Sequence, residues 1–134
     1  MAQASNHREH LGSISASLFK IHKLLLEDEF ESREKADGRF LPPAERLNVL
    51  LNDPTIAWLR VLSQLMAYVD EVYYQKEGVL DRQFEDVLSR VQETFSLQNE
   101  SEFTYRYKSR LGTIPELMVA HGHLKAALRG TQNS

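Results

Sequence analysis

Residues 53–76 read DPTIAWLRVLSQLMAYVDEVYYQK and carry the clearest helical pattern in the chain. Asp53 followed by Pro54 is a typical helix start, because Asp caps free N–H groups and proline fits the first helical turn. Apolar residues then recur at steps of three and four, which is the spacing of one helix face. This stripe consists of Trp58, Leu62, Leu65, Val69 and Val72. Further apolar residues widen it to about half of the helix circumference, so the pattern predicts the central and most buried helix.

Similar spacing continues on both sides of this stretch. It predicts long helices over residues 11–35, 80–95 and 115–129, and shorter helices over 44–51 and 103–111. The six glycines and four prolines are few for a chain of 134 residues, and they leave long uninterrupted segments. The sequence therefore predicts an all-α fold, an antiparallel helical bundle of four main helices plus one or two short helices.

The composition, with 42% hydrophobic and 26% charged residues, is typical of one globular domain over residues 1–134. Residues 1–10 are polar and are expected to form a flexible tail, and residues 130–134 are expected to fray. The longest apolar runs fall far short of the roughly 20 residues of a membrane span. The chain also begins without the apolar segment of a secretory signal, so we expect a cytoplasmic protein that does not enter membranes.

The charge and cysteine counts exclude several classes of site and partner. The formal net charge of −3 is too balanced to indicate nucleic acid or an anionic membrane as the main partner. The absence of cysteine excludes disulfides, thiolate zinc sites and cysteine nucleophiles. Gly-rich phosphate loops, nucleophile elbows and His-Glu-x-x-His motifs are also missing. These observations favour a protein that is not an enzyme, although they leave activity open.

The first long helix carries a polar line inside its apolar sector. Ser15, His22 and Glu29 are seven residues apart and stack between two apolar lines, Ile14/Leu18/Leu25 and Phe19/Leu26/Phe30. We expect His22 to be mostly buried and to bond a carbonyl or carboxylate, as histidines on apolar faces usually do.

The last helix adds a second candidate histidine. His121 points inward in the predicted helix, whereas His123 lies about 200° away and faces solvent. If the first and last helices are neighbours, His22, His121 and Glu29, with Asp70 on the rim of the 53–76 helix, could bind a divalent metal or a polar ligand. The Glu-x-x-His pairs of carboxylate-bridged metal bundles are absent. The first hypothesis is therefore that the histidines are structural and that the protein binds no cofactor. The alternative is a divalent metal site.

Tyrosines are the candidate interface residues. Tyr74 and Tyr105 point away from the apolar stripes of their helices, and Tyr68 lies near Tyr74 in the same helix. Exposed tyrosines are common in protein interfaces. The first functional hypothesis is therefore a non-catalytic protein that acts through protein-protein association, as a homodimer or as an adaptor.

Two segments resemble a known group of sequences. LFKIHKLLL at residues 18–26 and NDPTIAWLR at residues 52–60 resemble a family of small uncharacterised all-helical bacterial proteins. The resemblance implies a bacterial cytosolic bundle and brings no established activity or site residues.

Overall fold

The computed structural model describes the backbone of residues 2–130 and the side chains of residues 6–130. Within this part of the chain the fold contains six α-helices, one short 3₁₀ helix and no strand, so the all-α prediction is confirmed. The α-helices are α1 (Ala2–Asp37), α2 (Pro43–Asn52), α3 (Arg60–Tyr73), α4 (Asp81–Thr94), α5 (Glu102–Leu111) and α6 (Pro115–Arg129). The 3₁₀ helix, Pro54–Leu59, precedes α3. No helix among the described residues is long and apolar enough to cross a membrane.

The central helix of the bundle is α1. It packs against α3, α4 and α6. Five of its apolar side chains are completely inaccessible to solvent: Leu11, Ile14, Leu18, Ile21 and Leu25. The prediction that the 53–76 helix is the central and most buried helix is therefore wrong, because α1 holds the central place and α5 and α6 bury larger shares of their residues. Helix α3 packs mainly against α1 and α4, so Val61 stays exposed and Met66 and Tyr73 are only partly buried.

The start signal at Asp53 is present, but the helix it begins is a 3₁₀ helix. The Asp53 carboxylate accepts a hydrogen bond of 2.9 Å from the backbone N–H of Thr55, as an N-cap does. Arg33 of α1 donates to the same carboxylate at 2.7 Å. Residues three apart lie on the same side of a 3₁₀ helix, so this tighter turn buries Ile56 and Leu59 together.

The N-terminal segment differs from the expected flexible tail over residues 1–10. Helix α1 already begins at Ala2, and its His7, Arg8 and His10 side chains contact the end of the bundle. The His7 ring stacks on Phe84 with 4.0 Å between ring centroids. Arg8 donates hydrogen bonds of 2.7 Å to the carbonyls of Tyr73, the last residue of α3, and Gln75, two residues later. The segment is polar because its side chains satisfy free backbone carbonyls at a helix end.

The C-terminal end of α6 is closed by a residue in the left-handed region. Gly130 has φ of 69°, the conformation in which glycine commonly ends a helix. The His10 ring donates a hydrogen bond to the carbonyl of Ala127, one turn earlier, and so ties α1 to this end of α6. Residues 130–134 were expected to fray. Of these, residues 131–134 lie outside the described part of the chain.

Candidate association surface

The polar line of α1 forms a hydrogen-bonded seam with α3. Ser15 Oγ donates to the Asp70 carboxylate at 2.7 Å. His22 Nε2 lies 3.1 Å from Ser63 Oγ, and that hydroxyl itself donates to the carbonyl of Leu59 at 3.4 Å. The imidazole can therefore act as the donor to Ser63. The expectation for His22 is wrong in two respects, because the ring is only half-buried and its partner is a hydroxyl.

Glu29, the third member of the polar line, joins three elements. Its side chain is buried, with 9% of the residue exposed. Oε2 accepts hydrogen bonds from Trp58 Nε1 at 3.2 Å and from Arg110 Nη2 at 3.0 Å. The Arg110 guanidinium also lies 5.0 Å from the centre of the Trp58 ring. The carboxylate is thus neutralised inside the fold, between α1, the 3₁₀ helix and α5.

Asp28 lies beside this cluster on α1. Its Oδ2 is 3.6 Å from Arg110 Nε, which makes the arginine a shared partner of two carboxylates. Burial raises the pKa of Asp28, and the positive charge of Arg110 opposes that rise. At the Asp28 carboxylate the cost of desolvation is therefore opposed by attraction to Arg110, as is common in structural ion pairs.

His121 is buried and His123 is exposed, as the helical spacing predicts. His121 Nδ1 lies 2.7 Å from the hydroxyl oxygen of Tyr107, which is fully buried on α5. Burial lowers the pKa of His121, and the charge of Lys125 on the next turn lowers it further. Burial also raises the pKa of Tyr107 well above its ordinary value. The pair is therefore a neutral hydrogen bond between α5 and α6.

The four candidate metal ligands are not brought together. His22, His121, Glu29 and Asp70 each bond a different partner within the fold. Across the described residues, no three or more His, Cys, Asp or Glu side chains are placed to hold a metal ion. Each polar group instead connects two packed elements.

The three candidate interface tyrosines lie on three different surfaces. Tyr68 is half-buried against α4, where its hydroxyl donates to Asp86 and the Arg90 guanidinium lies 4.5 Å from the ring centre. Tyr105 is exposed on α5. Tyr74 is 72% exposed and follows directly after α3. Only Tyr74 stands beside other accessible apolar side chains between α1 and α3.

These side chains form a groove of about 440 Å³, which we name the α1–α3 groove. Its lining residues are Gly12, Ser15, Ala16, Phe19, Met66, Asp70, Tyr73 and Tyr74. Phe19 stands on the α1 wall with 62% of its surface exposed. At Gly12 the helix closely approaches Tyr73, since a Cβ there would lie 3.2 Å from the tyrosine ring. Within the groove Ser15 donates to one oxygen of the Asp70 carboxylate, and the side chains of Phe19, Met66 and Tyr74 form an apolar rim.

Helix α2 carries a second apolar surface that sequence reasoning missed. Leu47, Leu50 and Leu51 are all exposed, and none of the ten residues of α2, all of them described, is buried. Their spacing of three and four residues places them on one side of the helix, which we name the leucine face. The spacing was available in the sequence, but nothing in it indicates that this side lacks a neighbour.

One arginine fastens α2 to the bundle. Arg46 donates 3.0 Å hydrogen bonds to the Glu34 carboxylate and the carbonyl of Leu41. Its guanidinium also lies 5.1 Å from the ring centre of Phe30 and 5.3 Å from that of Phe40. Helix α2 thus covers the end of α1 that carries Phe30.

The bacterial resemblance of residues 18–26 and 52–60 stays a prediction. Comparisons with protein-family models, with curated proteins and with solved structures find no match.

Proposed function

We propose that this protein works by association, and that the α1–α3 groove is the surface that binds another protein chain. The observation that carries the proposal is the exposure of Phe19 and Tyr74, at 62% and 72%, beside the same groove. Large aromatic side chains gain most from burial, and tyrosine is enriched in protein interfaces. A contiguous exposed apolar patch commonly marks an interaction site.

The polar groups of the chain support association rather than chemistry. Glu29 is paired with Arg110, His121 with Tyr107, and each pair connects two elements of the fold. Residues that act on a substrate need to face a cleft with their reactive atoms accessible. The groove instead offers an apolar rim over the Ser15–Asp70 bond, which suits a complementary apolar surface.

Site-specific photo-crosslinking tests the proposal. A photoreactive amino acid replaces Tyr74 in the full chain, inside cells that produce it, and mass spectrometry identifies the attached chain. The matched control replaces Tyr105, an exposed tyrosine on another surface. We expect a discrete adduct at position 74 that disappears when Phe19→Glu is added, because the carboxylate would be desolvated in the complex.

Two outcomes count against the proposal. One is a similar yield of adduct at positions 74 and 105, which means that the groove is not a preferred contact. The other is an adduct at position 74 that survives Phe19→Glu, which means that the apolar rim does not hold the partner.

A further inference from the structure

We infer that the chain bound in the α1–α3 groove is a second copy of this protein, and that the leucine face of α2 is the part that enters it. The inference rests on the proposed function, because it names the occupant of the same groove. In this arrangement the two copies are related by a twofold axis. Each copy inserts its leucine face into the groove of the other, so every contact occurs twice.

The leucine face and the groove lie on the same side of the molecule. Phe19, Leu26 and Phe30 fall within about 40° of each other around α1 and form one apolar line. Arg46 of α2 covers Phe30 at one end of this line, while Phe19 at the other end stands open in the groove. Helix α2 therefore lies over the same line of α1 as the groove, about 16 Å further along the helix from Phe19.

The leucine face points away from the body of the molecule. Val49, on the opposite side of α2, packs against the core. Leu47 and Leu51 are about 160 to 200° away from it around the helix and are exposed. The leucine face is bordered by Ala44 and Asn48 on one side and by Arg46 on the other, where the Arg46 guanidinium is already paired with Glu34. A ridge with apolar residues at positions i, i+3 and i+4 is the usual form in which a helix enters an apolar groove.

The apolar area suits an interface between two copies. At about 200 Å² for a fully exposed large side chain, Phe19, Tyr74 and the three leucines leave roughly 600 Å² per copy accessible. Two copies that bury these side chains together remove roughly 1,200 Å², the lower limit of stable, specific interfaces at about 1,200–2,000 Å². The groove alone offers much less. The reciprocal arrangement is thus the one that reaches the area a dimer needs.

The test is a mixing experiment with two complementary variants. The ridge variant, Leu47→Glu with Leu51→Glu, keeps an intact groove, and the groove variant, Phe19→Glu, keeps an intact ridge. All three positions are exposed, and glutamate is a good helix former, so both chains should fold. The matched control, Met118→Glu with Val119→Glu, changes two exposed apolar residues of α6. Circular dichroism checks that each variant keeps its helices.

Analytical ultracentrifugation of each protein from low to high micromolar concentration gives the result. We expect the wild type and the control to sediment as dimers and each complementary variant alone to sediment as a monomer. An equimolar mixture of the two variants should associate measurably at high micromolar concentration, but more weakly than the wild type, because only about half of the apolar area is buried. A heterodimer keeps one of the two ridge–groove contacts, whereas neither variant can form any contact with itself.

Three outcomes overturn the inference. In the first, the wild type stays monomeric while position 74 still crosslinks to another kind of chain. The occupant of the groove is then not a second copy, and the proposed function remains. A dimer that persists in the ridge variant shows that α2 is not the occupant. A mixture that sediments at every concentration as the sum of its two separate components shows that the leucine face does not enter the groove. If position 74 also forms no adduct that depends on Phe19, the proposed function fails as well.

Discussion

Two lines of side chains run side by side along α1, one polar and one apolar. The extent to which neighbouring elements contact them differs from what their polarity alone suggests. The polar line, Ser15, His22 and Glu29, is bonded at every position to a neighbouring element. Along the apolar line, exposure falls from Phe19, which is 62% exposed, through the half-buried Leu26 to the buried Phe30. Burial on a helix therefore depends on whether a neighbour lies over each turn, and less on how apolar that turn is. Polar side chains facing a neighbour become connections, and apolar ones without a neighbour become a surface for another chain.

The largest expected effect comes from Glu29, at the buried end of the polar line. Glu29→Ala leaves the Arg110 guanidinium and the Trp58 N–H without their shared acceptor. Removing one partner of a buried ion pair typically lowers the free energy of unfolding by about 3–5 kcal/mol. Urea denaturation monitored by Trp58 fluorescence measures this loss. Glu27→Ala, at an exposed carboxylate two residues away, should stay within about 0.5 kcal/mol of the wild type. Equal stability of the two variants would mean that the bonds from Glu29 to Arg110 and Trp58 do not stabilise the fold.

A smaller difference separates the two ends of the apolar line. Phe30→Ala removes a buried ring under Arg46 and should cost about 3 kcal/mol, through lost burial and the cavity that remains. Phe19→Ala removes a largely exposed ring and should change the stability of the monomer by less than about 1 kcal/mol. Denaturation at low protein concentration keeps the comparison to single chains. If Phe19→Ala costs as much as Phe30→Ala, the groove is part of the core and the proposed interface loses its basis.

Acidification should separate His22 from His121. Burial lowers the pKa of both rings in the folded state, so the unfolded chain binds protons more readily. Their contribution to stability is full above the unfolded pKa of about 6.5 and is lost as pH falls from there through the folded pKa. We therefore expect the free energy of unfolding to fall as the pH is lowered from 7.5 to 5.5. His121→Gln should remove more of this slope than His22→Gln, because His121 is the more buried ring.

The matched control for the acidification series is His123→Gln on the exposed side of α6. It should leave the pH dependence unchanged. A pH dependence that only His123→Gln removes would contradict its assignment to His22 and His121.

Sequence patterns predict what each helix can bury, and this accounts for most of the fold. Periodicity alone places the helices and the inward His121, and Asp53 does cap the next helix. The same periodicity is silent on how many neighbours a helix receives. An apolar stripe half a turn wide suits a central helix as well as one at the edge, so α3 was predicted to be the central helix, and α1 occupies that place.

The candidate site was harder to predict for the same reason. The outward direction of Tyr74 follows from its angle on α3, but the groove also needs Phe19, which belongs to an apolar line that looks buried. Phe19 is open because α2 ends its contact near Phe30, and that depends on the path of residues 38–43 between the helices. Likewise, the polar residues 7–10 resemble a tail in the sequence. Their role is visible only in the fold, where backbone carbonyls at the end of α3 and just after it lie beside Arg8.

The smallest expected effect is the response to metal ions, and it tests whether the polar line is structural throughout. A metal that binds only the folded state must raise the melting temperature by mass action. Zn²⁺, Fe²⁺ or Mn²⁺ would have to displace the bonds from His22 to Ser63 and from His121 to Tyr107, and the two rings do not share a ligand set. We therefore expect thermal unfolding to be unchanged by these ions. A saturable rise that His22→Ala and His121→Ala abolish, and that His123→Ala preserves, would establish a metal site that includes both histidines. The contrast between a satisfied polar line and an open apolar one would then have to be given up.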